Sequence, residues 1–400
     1  MTTYTEQQRL QATTWKSSTT TLPPEAKQPA PYEDKTGASR GPAYDFCLPR
    51  EHAALSLLPE VREPALALFA ELGIPWHAGI DGGPSNHLLS SQVQCVNALG
   101  QMVHDPERLR LAFADVLGTQ DVLEIEPGRF LTFEYIGPTD YFNEAPTGAR
   151  VRGAHCTSVD AAFLHRTRDG LVELVLVEWK YTESYRTRPA EPVKDQTRWE
   201  RYGAAWSDPD GPILPALPFE QILQEPLYQL VRQQLLAHAL EKDRAHGADR
   251  VRVVHVSPGG NTAYQQSLQP AHRGLGDSVT EVWSKLMRHP DRFVPLDSEL
   301  FLDEDITSPE YALRHAPDVV LDEASLLAAT GAESLLELED ILYSDDDFDG
   351  DLLQLDDGVE VQLGHVGYRL SYPFPVSLLH RTAQRLQREY EEELEADDDQ

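Results

Sequence analysis

Residues 159–180 constrain this chain more than any other stretch. They read Val-Asp-Ala-Ala-Phe-Leu-His-Arg-Thr-Arg-Asp-Gly-Leu-Val-Glu-Leu-Val-Leu-Val-Glu-Trp-Lys: an apolar run to Leu164, a polar tip over 166–170, and a second apolar run from Leu171 to Trp179. Two such runs around a Gly-containing turn predict a β-hairpin. Antiparallel pairing through that turn carries Asp160, near the start of the first strand, to the same end as Glu178, Trp179 and Lys180. Period-two alternation puts Glu178 and Lys180 on one face. Two carboxylates and an amine on an otherwise apolar hairpin are costly to bury, and folding alone gives no reason to keep them. The plainer alternative is a solvated ion pair at a strand end, contributing about 0–1 kcal/mol. Glu-x-Lys also occurs at Glu25/Lys27 and Glu33/Lys35, both in a Pro-rich polar segment. Only the third copy closes an apolar strand and has an Asp at the far end of the strand before it.

This arrangement resembles the PD-(D/E)XK nuclease superfamily, in which an Asp and then a Glu-x-Lys on the next strand hold a divalent metal and activate water. The resemblance implies Mg²⁺, with Mn²⁺ able to substitute, held by Asp160, Glu178 and the Trp179 backbone carbonyl. Such hard oxygen ligands suit an ion that keeps several waters of its own. Lys180 would orient or help deprotonate an attacking water, while the metal stabilises charge on the phosphate. A Lys beside a cation in a desolvated site is expected to have its ammonium form disfavoured.

The flanking segments extend the resemblance. Residues 86–99 start a helix that Ser90 or Ser91 can cap, with Val93, Val96, Leu99 and Val103 on one face. Its Ser-Ser-Gln and Cys-Val-Asn resemble the first core helix of a family of restriction endonucleases within that superfamily, so Gln92 and Asn97 could face the site. No acidic residue lies between Asn86 and Met102 to serve as a first-helix ligand. Residues 130–136 alternate as a strand before the Gly137-Pro138 turn, and Glu134 on it is a further candidate ligand. His155 is a lone His, expected to be structural or exposed. A helix opening near Glu225 at Pro226 runs on through Leu240. Its Gln224-x-x-x-Tyr228 resembles a superfamily motif beside the metal, with the two side chains four apart on one face; Arg232 and Gln233 continue the polar side and could contact the substrate backbone. Residues 250–257 read as a last strand. The order from 86 to 256 is therefore helix, three strands, helix, strand. That predicts an α/β protein with a restriction-endonuclease-like αβββαβ core and mixed sheet, an extra helical N-terminal segment and an acidic C-terminal module.

Composition frames the rest. Residues 1–44 are rich in Thr, Ser, Pro and Gln and are expected to form a largely disordered arm. Residues 45–85 read as a helical lead-in whose periodicity ends at Gly73, 86–300 as the nuclease-like domain, 301–390 as an acidic accessory region and 391–400 as an acidic tail. A net charge of −32 is unusual for a nucleic-acid binder. Residues 291–400, however, hold 30 acidic against 6 basic residues, so the excess is concentrated there. Arg186, Arg188, Lys194, Arg198 and Arg201 follow the hairpin, diluted by Glu183, Glu191, Asp195 and Glu200. The stretch Asp345 to Asp356 matches an EF-hand loop at its first positions, but Asp356 replaces the long Glu needed for bidentate Ca²⁺ ligation, and an acidic surface loop is the simpler expectation. Three widely spaced cysteines suggest neither a disulfide framework nor a zinc site. With no long apolar run and no signal-like N-terminus, the expected setting is cytoplasmic and away from membranes. The expectation is a Mg²⁺-dependent endonuclease whose partner is nucleic acid, above all DNA; a homodimer is compatible with it. The competing class is a non-catalytic protein of the same fold that binds nucleic acid or a partner through its acidic module.

Overall fold

A computed structural model describes residues 3–316 apart from positions 34, 35, 37, 146, 147, 155, 187–191 and 304, together with three short strands after residue 350. The chain divides into two compact units, residues 1–23 with 301–400, and residues 24–300.

In the first unit, helix α1 (Tyr4–Ser18) begins with a capping box in which the Thr3 hydroxyl and the Glu6 carboxylate satisfy each other's backbone N–H groups. The segment expected to be a disordered arm is thus partly helical. Trp15 Nε1 donates to Glu310 Oε1 at 2.7 Å, Gln11 Nε2 donates to the Leu313 carbonyl at 2.6 Å, and Arg314 lies over the Trp15 ring. Those partners sit on a helix, Pro309–His315, about three hundred residues along the chain. Composition misjudged the segment because its Gln and Thr side chains are satisfied by distant partners that no local window contains.

The second unit opens with a hairpin, β1 (Ala30–Glu33) and β2 (Ser39–Tyr44), which also lies within the expected arm. Helix α2 (Pro59–Leu72) follows, with proline in its first turn and Gly73 closing it at φ 64°. Helix α3 (Ser91–Leu99) is capped by the Ser90 side chain. Next come α4 (Pro106–Leu117), β3 (Thr119–Leu123), β4 (Leu131–Tyr135), β5 (Val159–Thr167) and β6 (Val172–Trp179). Helices α5 (Pro192–Trp206), α6 (Phe219–Ile222) and α7 (Leu227–Lys242) lead to β7 (Arg250–Ser257), α8 (Thr262–Gln265), α9 (Val279–Leu286) and β8 (Phe293–Asp297). The helix of the first unit, Pro309–His315, is α10.

The expected αβββαβ order is present as α3-β4-β5-β6-α7-β7, with four elements the sequence did not predict inserted in it: α4 and β3 after α3, and α5 and α6 after β6. One six-stranded sheet runs β3-β5-β6-β7-β8, with β4 also pairing β5. The hairpin is in the predicted register, Ala161 opposite Val177 and Arg166 opposite Val172, and Gly170 at φ 86° makes the turn. Its outer edge is shared, since β4 pairs antiparallel with residues 159–163 and β3 with 164–167. On the other side β6, β7 and β8 are parallel, so α7 acts as the crossover that parallel pairing demands. The sheet is therefore mixed.

Alternation divides the core. Leu174, Leu176, Val251 and Val253 face Leu230, Val231 and Leu235 of α7, with Trp283 of α9 in the same cluster. From the opposite face Phe163 meets Phe113 of α4, ring centroids 4.7 Å apart. This second face carries a buried charge cluster at the end of the sheet near the hairpin turn. Glu173, fully buried, accepts from His165 Nε2 at 2.9 Å and Arg252 Nε at 2.7 Å, and also pairs with Arg250.

After residue 316 only backbone strands are described: Leu352–Gln354, Glu360–Gln362 and Arg369–Leu370, paired antiparallel. The carboxylates of the EF-hand-like stretch, the acidic tail, His155 and Arg188 lie outside the described residues. Among the described residues no helix is long and apolar enough to cross a membrane.

Burial alone would push the Glu173 carboxyl up, but hydrogen bonds from His165 and Arg252 outweigh it and hold the group below its ordinary value. Its stabilising effect is therefore present above the unfolded carboxylate value, about 4.3, and is lost as pH falls through the lower folded value. Glu173→Ala leaves two guanidiniums without their buried anion and is expected to cost about 3–5 kcal/mol at neutral pH by chemical denaturation. Glu173→Gln should flatten the acid limb of stability against pH.

Candidate active site

The open end of the β5–β6 hairpin collects the polar residues that the sequence singles out. Register carries Asp160 to a place beside Glu178, and the Trp179 N–H donates to Asp160 Oδ2 at 2.7 Å. Lys180 Nζ donates to Glu178 Oε1 at 2.5 Å, with the Lys180 and Glu178 side chains 6% and 2% exposed. The next turn of structure comes from α7. Gln229 Oε1 accepts from Lys180 Nζ at 2.7 Å, and Gln233 Nε2 donates to Glu178 Oε2. Four residues apart on one helix face, these two amides hold both members of the pair. The indole N–H of Trp179 points to the other layer, donating to Gln94 Oε1 of α3 at 2.9 Å.

A third carboxylate joins from β4. Glu134 is buried and takes φ 46°, a left-handed backbone inside a strand. Its Oε1 accepts from Gln92 at 2.9 Å and its Oε2 from the Ser158 hydroxyl at 2.9 Å. Gly153, at φ 67°, packs against it so closely that a Cβ would lie 3.0 Å from the Glu134 carboxyl carbon. Gln92 also accepts from the His77 N–H, which fixes its amide. Asn97, the other amide of α3, is turned away: it bridges the Leu58 N–H and the Ser56 carbonyl and serves as a structural clamp.

The helix motif falls differently from its sequence reading. Helix α7 begins at Leu227, so Gln224 precedes it and contributes its backbone carbonyl to the Tyr228 N–H at 3.1 Å. Tyr228 packs beneath the Arg198 guanidinium at 4.4 Å and against Tyr202. Neither side chain hydrogen-bonds to Glu178 or Lys180. The i, i+4 relation holds only inside a helix, and Pro226 moved the helix start past Gln224. The amides that do reach the pair are Gln229, which the motif overlooks, and Gln233. The signal available was two glutamines four apart on an otherwise apolar helix.

Electrostatics follow from this crowding. Burial first, then the negative charges of Glu178 and Glu134, push the Asp160 carboxyl well above the usual range, against the pull of Lys180 and the Trp179 N–H. Burial likewise raises Glu134, with Glu178 adding to it. For Lys180, burial is the largest single influence and works against the charge, but Glu178, with Tyr185, Tyr264 and Glu183 adding to it, outweighs burial and holds the amine well above its ordinary value. The expectation of a disfavoured ammonium rested on a neighbouring cation; among the protein groups alone the balance runs the other way. Among the described residues no group of three or more His, Cys, Asp or Glu side chains is arranged as a metal cage. The donor set still fits Mg²⁺, which is held by one or two carboxylates plus water and substrate phosphate and needs no protein cage. A cation near Asp160 and Glu178 would relieve the repulsion that raises Asp160.

A mixed-sheet αβββαβ core with an Asp and a Glu-x-Lys gathered at the open end of its central hairpin defines a restriction-endonuclease-like protein. Residues 8–308 match the family model REase-ARP, described as restriction endonuclease associating with ARP, and the chain belongs to that family. No curated protein and no solved structure matches the chain.

Glu178→Gln removes the strongest of the charges that favour the Lys180 ammonium against burial. The Lys180 pKa is then expected to fall, read by NMR titration of labelled lysine. A Lys180 signal that does not move would contradict the ion pair.

Proposed function

We propose that this chain is a Mg²⁺-dependent endonuclease that hydrolyses phosphodiester bonds in DNA, with Mn²⁺ able to substitute. Its membership of a restriction-endonuclease family supports a nuclease in general terms. The observation that carries the finer reading is the convergence of Asp160, Glu178 and Lys180 on one sheet end, with the Glu178–Lys180 pair buried and doubly braced by Gln229 and Gln233. A fold that needed only stability at this position would gain as much from apolar side chains, because buried ion pairs rarely outdo well-packed hydrophobic ones.

In this reading Asp160, Glu178 and the Trp179 carbonyl hold the metal, which when bound supplies charge stabilisation to the phosphate and lowers the pKa of a water. The chain's own groups do the rest. Asp160 is oriented by the Trp179 N–H, which fixes Oδ2 and leaves Oδ1 without a protein donor among the described residues. Gln233 holds the Glu178 carboxylate in one rotamer. Lys180, kept as an ammonium by Glu178 and steered by Gln229, donates a hydrogen bond to the attacking water or to the developing phosphate charge. Glu134, braced by Gln92 and Ser158, adds negative potential that favours a cation at this end of the sheet. Gln224 and Tyr228 border the site from the start of α7 and are assigned to its edge. The family description's association with ARP is carried over as an expectation for this chain.

Incubation with supercoiled plasmid is expected to give nicked and linear products with Mg²⁺ or Mn²⁺ and none with EDTA. Asp160→Asn and Lys180→Ala should each lower the rate by about 10²-fold or more, in line with the loss of a positioned catalytic group. Lys180→Ala activity equal to wild type, in protein free of contaminating nuclease, would reject the catalytic role of Lys180, and wild type that binds DNA without cleaving it under any of these conditions would favour a nucleic-acid-binding module of the same fold.

A further inference from the structure

One side chain of α7, between the two braces of the site in sequence, forms no hydrogen bond or ion pair among the described residues, although Glu225 and Glu144 are near enough to favour its charge. Arg232 is adjacent to Gln233, which holds Glu178, and three residues after Gln229, which holds Lys180. It shares the Tyr228 ring with Arg198: the two guanidinium carbons lie 5.1 and 4.4 Å from the ring centroid. The resemblance between the two arginines ends there. Arg198 donates through one nitrogen to Asp195 at 2.7 Å and to the Leu223 carbonyl at 3.3 Å. Arg232 forms no ion pair among the described residues, and its Nε is buried without a hydrogen-bond partner. A half-buried guanidinium whose donors are unspent is an unusual expense for a fold, since buried charge is ordinarily paired.

We propose that Arg232 takes a backbone phosphate of the substrate strand beside the Glu178–Lys180 pair, with Tyr228 as its aromatic backing and Arg198 as the second positive charge. The inference rests on the nuclease reading and deepens it. A guanidinium presents a planar fork of donors that matches two phosphate oxygens. Stacking on Tyr228 fixes the plane of that fork while leaving its N–H groups unused, which an acidic partner would not. The placement answers a difficulty of charge. Glu134, Asp160, Glu178 and Glu225 make the neighbourhood acidic, and a phosphodiester entering it needs positive charge other than the metal. Arg232, on the same helix as Gln229 and Gln233, is positioned to supply it. Contacts to phosphate set register on the strand without reading its bases, so Arg232 would position the scissile bond for every sequence alike.

The test uses the full chain and a fluorescein-labelled DNA duplex in EDTA, so that nothing is cut, with anisotropy recorded over a series of salt concentrations. Loss of one phosphate contact should make the slope of log K against log salt shallower by about one. Arg232→Gln is therefore expected to weaken binding at low salt by about tenfold and to show that shallower slope. Arg232→Lys, which keeps the charge but not the fork, should restore the slope while recovering only part of the affinity. A purely structural role predicts a lower melting temperature with an unchanged slope, and that result overturns the proposal. Phenylglyoxal modification of wild type, mapped by mass spectrometry, covers the case in which Arg232→Gln does not fold. The duplex should protect Arg232, and equal modification with and without DNA also overturns the proposal. Wild type that binds neither duplex nor single-stranded DNA would sink the nuclease reading itself, an outcome distinct from wild type and Arg232→Gln binding alike.

Discussion

The buried pair of Lys180 and Glu178 is the interaction on which the rest of the structure turns. Taking either charge out of water costs several kcal/mol, and the other repays this only where geometry is good and the remaining donors and acceptors are satisfied. Here the satisfaction comes from α7, through Gln229 and Gln233. The crossover helix is consequently bound to the sheet by polar as well as apolar contacts, and its rotation about its own axis is set by two amides that must meet two charged groups. The packing of Leu230, Val231 and Leu235 on Leu174 and Leu176 then follows from that rotation.

Charge is arranged differently at the two ends of the sheet. Near the hairpin turn, Glu173 is surrounded by His165, Arg250 and Arg252, so that its carboxyl is paired on both oxygens and held below the usual value. At the open end, beside Glu134, Asp160 and Glu178, the ion pair among the described residues is that of Lys180 with Glu178, and Asp160 is pushed up. One end is a closed network that fixes the register of β5, β6 and β7. The other has an excess of carboxylate that protein groups leave uncompensated, which is the condition under which an external cation is attracted. The difference separates a stabilising cluster from a candidate reaction centre although both draw buried acids from the same hairpin.

Backbone strain is placed at the same end. Glu134 adopts a left-handed conformation within β4, where a non-glycine residue is disfavoured, and Gly153 lies against it with no room for a side chain. Gln92 and Ser158 hold the carboxylate that results. A strand under no constraint would relax; here the surrounding hydrogen bonds outweigh the strain and keep the acid beside Asp160. The first core helix has no acidic residue of its own, but through Gln92 it still governs where an acid from the next strand lies.

The sequence by itself determined the hairpin, its register and the grouping of Asp160, Glu178 and Lys180, because alternation and a turn are local and an antiparallel register then has only one solution that buries the apolar face. It also determined the six core elements α3, β4, β5, β6, α7 and β7 and the helix end at Gly73, which depend on residues within a few positions of each other, but not α4, β3, α5 or α6, which lie between them. Only the tertiary structure decided that Gln229 and Gln233, and not Gln224 and Tyr228, reach the charged pair, since that depends on where α7 starts and how it is rotated on the sheet. It likewise decided that Gln92 serves Glu134 while Asn97 clamps residues 56–58, two similar amides on one helix told apart only by what lies opposite each. The helix of residues 4–18 was hidden for the same reason: Glu310 and Leu313, which satisfy its polar side chains, are neighbours in space and remote in sequence, and hydrogen bonds of that kind leave no periodic mark on the chain.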